Sequence, residues 1–473
     1  MKSSLMTCSS SLLRCATRTS IRSRETLWYL HHISRFSSQT QRRSPGPNDW
    51  GKLVPDELDH SVKLLEVSQP GSTRQEVGRY PALFLRDSCK CLRCVDPNST
   101  QKNFDTCQIP NDITIDSVQY QDDGVHIKWQ NDIPGFADHV TFVPRKLLLE
   151  QRSNLAIRTS HHNNKGPKLW KARDAESLPW MQYDKYMNDD KILLQAVKQL
   201  RDYGFLLLKN VEENEQSVRK IAGRIGIIRN TFYGQTWDVK SKKAAKNVAY
   251  TKQYLGLHMD LLYMNEPPGF QLLHCLKNDA SGGNALFSDA YNAFLSLSPE
   301  HISALNRLSL NYKYDNDGHQ YSRTTNFIAR REEGRPFGRD NIAYINHSPP
   351  FQGPLPSQNY GVNSSKMPVM MDALRSFTEA TESVENLLEY RYEAGDCVIF
   401  NNRRVLHGRR EFDPETGERW LKGCYVDSDV FNSKMRVLHD QLEPWDPSQP
   451  AVVYHESRDR VRKKSPQTPR LKV

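Results

Sequence analysis

No apolar run in this 473-residue chain approaches the roughly 20 residues that a membrane-spanning helix needs. With 37% apolar residues and a mean hydropathy of −0.71, the composition is that of a soluble protein with a long polar fringe. Cysteine is scarce and mostly solitary. Of nine, Cys8 and Cys15 fall near the N terminus, while Cys107, Cys275, Cys397 and Cys424 stand singly, so nothing demands a disulfide framework and a reducing compartment suits the chain. No internal repeat is visible, which sets aside solenoid architectures. Acidic residues are almost missing from the first 44 positions, where Glu25 is the one carboxylate against eight Lys or Arg and eleven Ser.

That basic, serine-rich, acid-poor opening is the signature of a mitochondrial transit peptide, assigned to residues 1–45 and addressed to the matrix. Arginines interrupt every apolar stretch, which excludes a secretory signal core. Arg35-Phe36 ahead of Ser37-Ser38 resembles a matrix-protease cleavage site. Removing residues 1–36 takes the formal charge from +10 to +5, and this weakens a nucleic-acid reading. Residues 455–473 form a second basic stretch with little to bury and read as a disordered tail.

The length fits two domains between these ends. Residues 46–60 read as a flexible entry. From 61 to 150, short alternating runs such as SVKLLEV, ITIDSVQY, GVHIKW and HVTFV predict a small β domain. Within it, Cys89, Cys91 and Cys94 form a C-x-C-x-x-C cluster dense enough to hold one zinc, with a fourth ligand required to close a tetrahedral structural site. His126 and Cys107 are candidates for that fourth place, as is His139. A larger domain follows over 185–440. Its entrance is a helix carrying Ile192, Leu193, Val197 and Leu200 on one face, then Gly204 and the strand FLLLKNV. Further helices are expected in SVRKIAGRIGII and MPVMMDALRSFTEATESVENLLEY. Asp289 reads as a helix N-cap rather than a catalytic acid.

The chemistry concentrates in LGLHMDLLYMNEPPGFQLLHCL and GDCVIFNNRRVLHGRREF. His258 and Asp260 in the first, with His407 in the second, supply two imidazoles and one carboxylate, the facial triad of non-haem Fe(II) oxygenases. Pro267, Pro268 and Gly269 between two extended runs place the first pair at the mouth of a β-hairpin. Gly395-Asp396 reads as a turn into CVIF, and Gly408 lets the chain turn away beside the metal. Twelve residues past His407, Arg419 lies in RWLKGCYVD, where a buried guanidinium would need an anion. Arg409 and Arg410 are its rivals. Tyr233, Trp237, Tyr250 and Tyr425 could pack their faces around a quaternary ammonium, whose charge the ring quadrupoles attract.

HMDLLYMNEPPGFQLLHCL, GGNALFSDAYNAF, CVIFNNRRVLHGRREF and RWLKGCYVD together resemble the γ-butyrobetaine dioxygenase and trimethyllysine dioxygenase family, in register from about residue 80 to about 440. The resemblance implies a mostly β fold with flanking helices: a double-stranded β-helix, or jelly roll, plus an N-terminal zinc-binding β domain with His139 as fourth ligand. It implies Fe(II) and 2-oxoglutarate, with Arg419 holding the far carboxylate and ascorbate as reductant, and it places Asn247 near substrate and cosubstrate. Tyr233, Trp237, Tyr250 and Tyr425 match positions of a trimethylammonium pocket. The expected partners are a small quaternary-ammonium substrate and O2, and a homodimer is the expected assembly.

Two departures bear on the substrate. The residue after the facial Asp is aromatic in the animal enzymes, whereas here it is Leu261, so a wall of the pocket is missing or supplied by Tyr263. Residues 345–356, INHSPPFQGPLP, also differ, and lie where the substrate-side loop is expected. γ-Butyrobetaine hydroxylation is the favoured reading. Trimethyllysine, or another small acid, is the alternative within the same chemistry. A zinc-containing scaffold with an inactive jelly roll is the alternative outside it.

Overall fold

The computed structural model describes the strands Lys52–Asp56 and Ser61–Glu66, then residues 75–121, 123–151, 167–240, 252–331, 338, 341–356 and 366–443. The expected transit peptide over 1–45, the expected basic tail over 455–473, Asn247 and Tyr250 lie outside the described residues.

The N-terminal region contains two three-stranded antiparallel sheets. Lys52–Asp56, Ser61–Glu66 and Gln75–Pro81 form the first; Ile115–Tyr120, Gly124–Trp129 and Val140–Pro144 form the second. The first of these strands corrects the flexible entry expected over 46–60: Lys52–Asp56 pairs residue for residue with Ser61–Leu65. Val125, Ile127 and Trp129 point alternately inward from Gly124–Trp129 and pack with Leu85, Ile109 and Val143 in one apolar core.

The second region is built on two sheets whose strands alternate along the chain. Leu255–His258, Ala285–Asp289, Leu388–Tyr390 and Val405–Arg409 make a four-stranded sheet. Met181–Gln182, Phe205–Lys209, Thr236–Lys240, Phe270–Asn278, Cys397–Asn401 and Arg419–Val426 make a six-stranded one. Switching sheet at each step from Leu255–His258 through Ala285–Asp289, and again from Cys397–Asn401 to Arg419–Val426, is the winding of a jelly roll. It also overturns the expected β-hairpin: the strands on either side of Pro267-Pro268-Gly269 belong to different sheets, and that loop crosses between them.

Continuous apolar strands appear where both faces are covered. Phe205, Leu207, Val398 and Phe400 meet Phe287 and Val405 between the sheets, while Leu206, Leu208, Cys397 and Ile399 face the helices behind. Burying each such side chain contributes about 1.5–3 kcal/mol. The backing helix Asp190–Tyr203 buries Leu193, Leu194, Val197 and Leu200; Ile192 is only half-buried. Gly204, at φ +71°, ends it in a left-handed cap and starts the first strand. Ser217–Ile225 and Met367–Glu382 are helices as expected, but Leu388–Tyr390, at the end of the second expected run, is a strand.

Candidate active site

The register of two neighbouring strands creates the site. His258 pairs directly with His407 across the antiparallel ladder, so both imidazoles leave the same face, with ring centroids 4.2 Å apart. Asp260 lies just beyond the first strand. Its carboxylate oxygens are 3.3 Å from His258 Nε2 and 3.8 Å from His407 Nε2. The His258 Nδ1–H donates to the Gly256 carbonyl over 2.9 Å, which leaves Nε2 as the free donor atom for a metal. The three side chains present one donor atom each within 4.8 Å of one another.

The carboxylate is positioned by groups distant in sequence. Tyr425 donates its hydroxyl to Asp260 Oδ2 over 2.7 Å. Asn402 accepts from the Asp260 amide over 2.8 Å and donates to the carbonyls of Asp260 and Pro268, tying the ligand loop to the turn before the distal strand. Burial opposes ionisation of Asp260, yet the two imidazoles and the tyrosine hold its carboxyl well below the usual range. Burial pushes His407 down to about 3, so the ring is neutral, as a ligand must be. Leu261 follows in a left-handed conformation, φ +58°, with its side chain buried in the core beside Leu262 and Tyr263.

Gly408 does not turn the chain away. It lies inside the strand Val405–Arg409, and a Cβ there would sit 2.7 Å from the Leu255 carbonyl oxygen. Glycine is required because the two ligand-bearing strands approach closely at this point.

One cavity joins the triad to Arg419, Arg409, Tyr392, Gln271 and Trp237. Burial lowers Arg419 to about 10, and its Nε has no hydrogen-bond partner among the described residues. Gly283, at φ +74°, makes room for it: a Cβ would lie 3.1 Å from the Arg419 Cδ. Of the rivals, Arg409 lines the same cavity and donates to the Gln253 carbonyl, whereas Arg410 turns outward to Glu389 at 3.1 Å. Asp289 caps the helix Ala290–Leu295 and pairs with Arg404 at 2.7 Å, which is a structural role.

Of the aromatic residues singled out, three are described and lie together. The Trp237 indole stacks on Tyr425 at 4.1 Å and presses on Gly423, where a Cβ would be 2.6 Å from the ring. Tyr233 meets Trp237 at 6.5 Å, and its hydroxyl is 3.4 Å from that of Tyr263. Tyr263 therefore stands behind Tyr233 in the wall beyond Leu261. Tyr314 and Tyr321, from the hairpin Ser309–Asn316/His319–Asn326, stack against Tyr263 at 5.3 and 5.9 Å; sequence reasoning missed both. The 345–356 stretch does border the site. The Met259 amide donates to the His347 carbonyl, and the Phe351 ring lies 6.5 Å from that of His258.

A second cluster brings Cys89, Cys91, Cys94 and His139 together. His139 Nε2 is 3.3, 3.5 and 3.3 Å from the three sulfurs in that order. An edge of about 3.5 Å follows from tetrahedral zinc–sulfur and zinc–nitrogen bonds, so the donor set fits that ion. His139 Nδ1 is held by Asp132 at 3.1 Å, and Asp132 by Arg86 at 2.6 Å. Burial raises Cys94 to about 12 and Cys89 in the same direction; in Cys91 the backbone amides of Cys94 and Arg93 outweigh burial and lower it. The other two candidates lie elsewhere: His126 packs on Phe142 at 4.9 Å, and Cys107 is exposed in a short 3-10 turn.

Comparison with known proteins agrees with this geometry. Residues 170–425 match the family described as taurine catabolism dioxygenase TauD, TfdA, and residues 57–136 match gamma-butyrobetaine hydroxylase-like, N-terminal. The chain is 36% identical to Dioxygenase str8 of Strobilurus tenacellus, over 76% of this chain and 85% of that one. It is 32% identical to the gamma-butyrobetaine dioxygenase of Pseudomonas sp. (strain AK-1), over 76% and 91%. Identity to the mitochondrial trimethyllysine dioxygenase of Mus musculus is 27%, over 86% and 93%. A family match spanning more than half of the chain, on a site of two imidazoles, a carboxylate and a buried arginine, establishes that this protein belongs to the TauD, TfdA family and is a 2-oxoglutarate-dependent dioxygenase.

Proposed function

We propose that the chain hydroxylates a small quaternary-ammonium carboxylate, with γ-butyrobetaine to L-carnitine ahead of trimethyllysine. The observation carrying this reading is the aromatic wall on the His258–Asp260–His407 cluster, in which Tyr425 holds Asp260 with its hydroxyl and stacks Trp237 with its ring. Ring faces attract a cation that has no hydrogen to donate. Tyr263 takes the place of the aromatic residue that Leu261 lacks, backed by Tyr314 and Tyr321.

His258, Asp260 and His407 would hold Fe(II) on one face, and Arg419 would receive the distal carboxylate of 2-oxoglutarate. The bound iron and 2-oxoglutarate supply the oxidative decarboxylation and the oxidant for an unactivated C–H bond, with ascorbate as reductant. Asn402 and Tyr425 fix the carboxylate ligand, and the apolar walls exclude water. No side chain need transfer a proton. Cys89, Cys91, Cys94 and His139 would hold a structural zinc. The reading extends to a homodimer in the mitochondrial matrix, delivered by residues 1–45.

The test is product formation by mass spectrometry. Protein lacking its first 36 residues receives Fe(II), ascorbate and 2-oxoglutarate, with γ-butyrobetaine and N6-trimethyllysine in separate tubes. One oxygen gained by γ-butyrobetaine, matched by succinate, is the expected result. Succinate without a hydroxylated product in either tube would discard both substrates and point to another small acid.

A further inference from the structure

The cavity beside the triad contains a polar group that the chemistry so far leaves unused. Tyr392 follows the strand Leu388–Tyr390, is 2% exposed, and lines the same cavity as Arg419. Its hydroxyl has no hydrogen-bond partner among the described residues, and neither does Arg419 Nε. A buried hydroxyl left unpaired costs about 1–3 kcal/mol, so two such donors in one cavity point to an acceptor that arrives with a ligand.

The walls narrow the choice of acceptor. Asp260 is the one carboxylate among the lining residues, and it is committed to the two histidines and Tyr425. Val239, Leu273, Ala285 and Leu421 are apolar. Gln271, the remaining neutral polar residue, stands opposite Tyr425 in register and so belongs to the metal end. Tyr392 belongs to the other end: Asn278, which pairs with Arg419 in the six-stranded sheet, donates its side-chain amide to the Tyr392 carbonyl over 2.8 Å. Burial keeps the Tyr392 phenol protonated, so it has a hydrogen to donate to an anion.

We infer that the Tyr392 hydroxyl donates a hydrogen bond to the distal carboxylate of 2-oxoglutarate beside the Arg419 guanidinium, and so helps the protein select a 2-oxo diacid over an acid carrying the chelating end alone. This rests on Arg419 being the anchor of that carboxylate. A guanidinium supplies charge and a planar fork; the phenol adds a second, fixed direction.

The test uses Tyr392→Phe and Arg419→Ala in the full chain loaded anaerobically with Fe(II), with thermal melting and 2-oxoglutarate titration as readouts. Oxalate, which carries only the chelating end, is the control ligand. Tyr392→Phe is expected to melt, without ligand, at or above the parent temperature, because it removes an unpaired buried hydroxyl. It should weaken 2-oxoglutarate binding about 10- to 100-fold, the range for a hydrogen bond to a charged group, and leave oxalate unchanged. Unchanged 2-oxoglutarate affinity, equal loss for oxalate, or a lower melting temperature without ligand would each overturn the inference. If Arg419→Ala keeps its 2-oxoglutarate affinity, the anchor assignment falls along with this inference. Loss in Arg419→Ala but not in Tyr392→Phe removes Tyr392 alone.

Discussion

Single atoms decide the geometry of the metal end. Gly408 has no room for a methyl group, because the neighbouring carbonyl of Leu255 occupies the space. Gly408→Ala should push apart the two strands that present His258 and His407. The expected loss is about 1–3 kcal/mol of stability, read by thermal melting, with reduced Fe(II) content in the isolated protein. A normal melt with full iron would contradict it. Trp237 tests the aromatic wall beside Tyr425. Trp237→Ala should raise the KM for a trimethylammonium substrate more than it slows uncoupled 2-oxoglutarate turnover, since the role proposed for the indole is to meet the cation and not the cosubstrate. Equal loss of both would make Trp237 a packing residue. His258, Asp260 and His407 were legible in the sequence because each is a chemically distinctive residue in a recognisable local pattern. Asn402 and the hydroxyl of Tyr425 were not: Asn402 reaches Asp260 across 142 positions and Tyr425 across 165. No local pattern encodes such a contact.

At the scale of elements, the cysteine cluster makes the clearest prediction. Cys89, Cys91 and Cys94 lie in one short segment, and His139 comes from the loop before Val140–Pro144, so a bound ion would cross-link two parts of a small core. Cys91→Ser should lower zinc content and the melting temperature of the N-terminal region while leaving 2-oxoglutarate affinity intact. Normal zinc content with a normal melt would sink the assignment. Helices and covered strands were readable because capping and burial act locally: Gly204 ended Asp190–Tyr203, and FLLLK was apolar on both faces. The hairpin Ser309–Asn316/His319–Asn326 escaped notice for the opposite reason. HQYSRTTN alternates half-buried and exposed positions with only one large aromatic residue, Tyr321, in eight, so its pattern resembles a polar loop. The Pro-Pro-Gly loop misled because a turn between two strands looks the same whether they pair or part.

The molecule as a whole carries buried imidazoles that set its response to acid. His274 is fully buried in the six-stranded sheet, neither ring nitrogen has a partner among the described residues, and burial lowers it to about 4. An unfolded chain takes up this proton near the ordinary value of about 6.5. As pH falls below that, the unfolded state binds protons first, so stability is lost between about 6.5 and 4 and is fully present above. His274→Leu should flatten that decline, by up to the order of 3 kcal/mol, in denaturant melts at pH 7 and pH 4.5. An unchanged difference between the two pH values would show that another group controls it. His347, also lowered to about 4 by burial, sets part of the remaining slope.

What the sequence determined by itself was everything that depends on residue type and near neighbours: the two donor sets, the capped helices, the covered strands and the arginine that needs an anion. The family resemblance named His139 and Arg419, and only the tertiary structure brought them into place: it set His139 rather than His126 or Cys107 against the three thiols, put Arg409 as well as Arg419 in the cavity with His258, Asp260 and His407, and left the Tyr392 hydroxyl without a partner among the described residues. Those choices follow from strand register and sheet switching, which bring together side chains far apart in sequence.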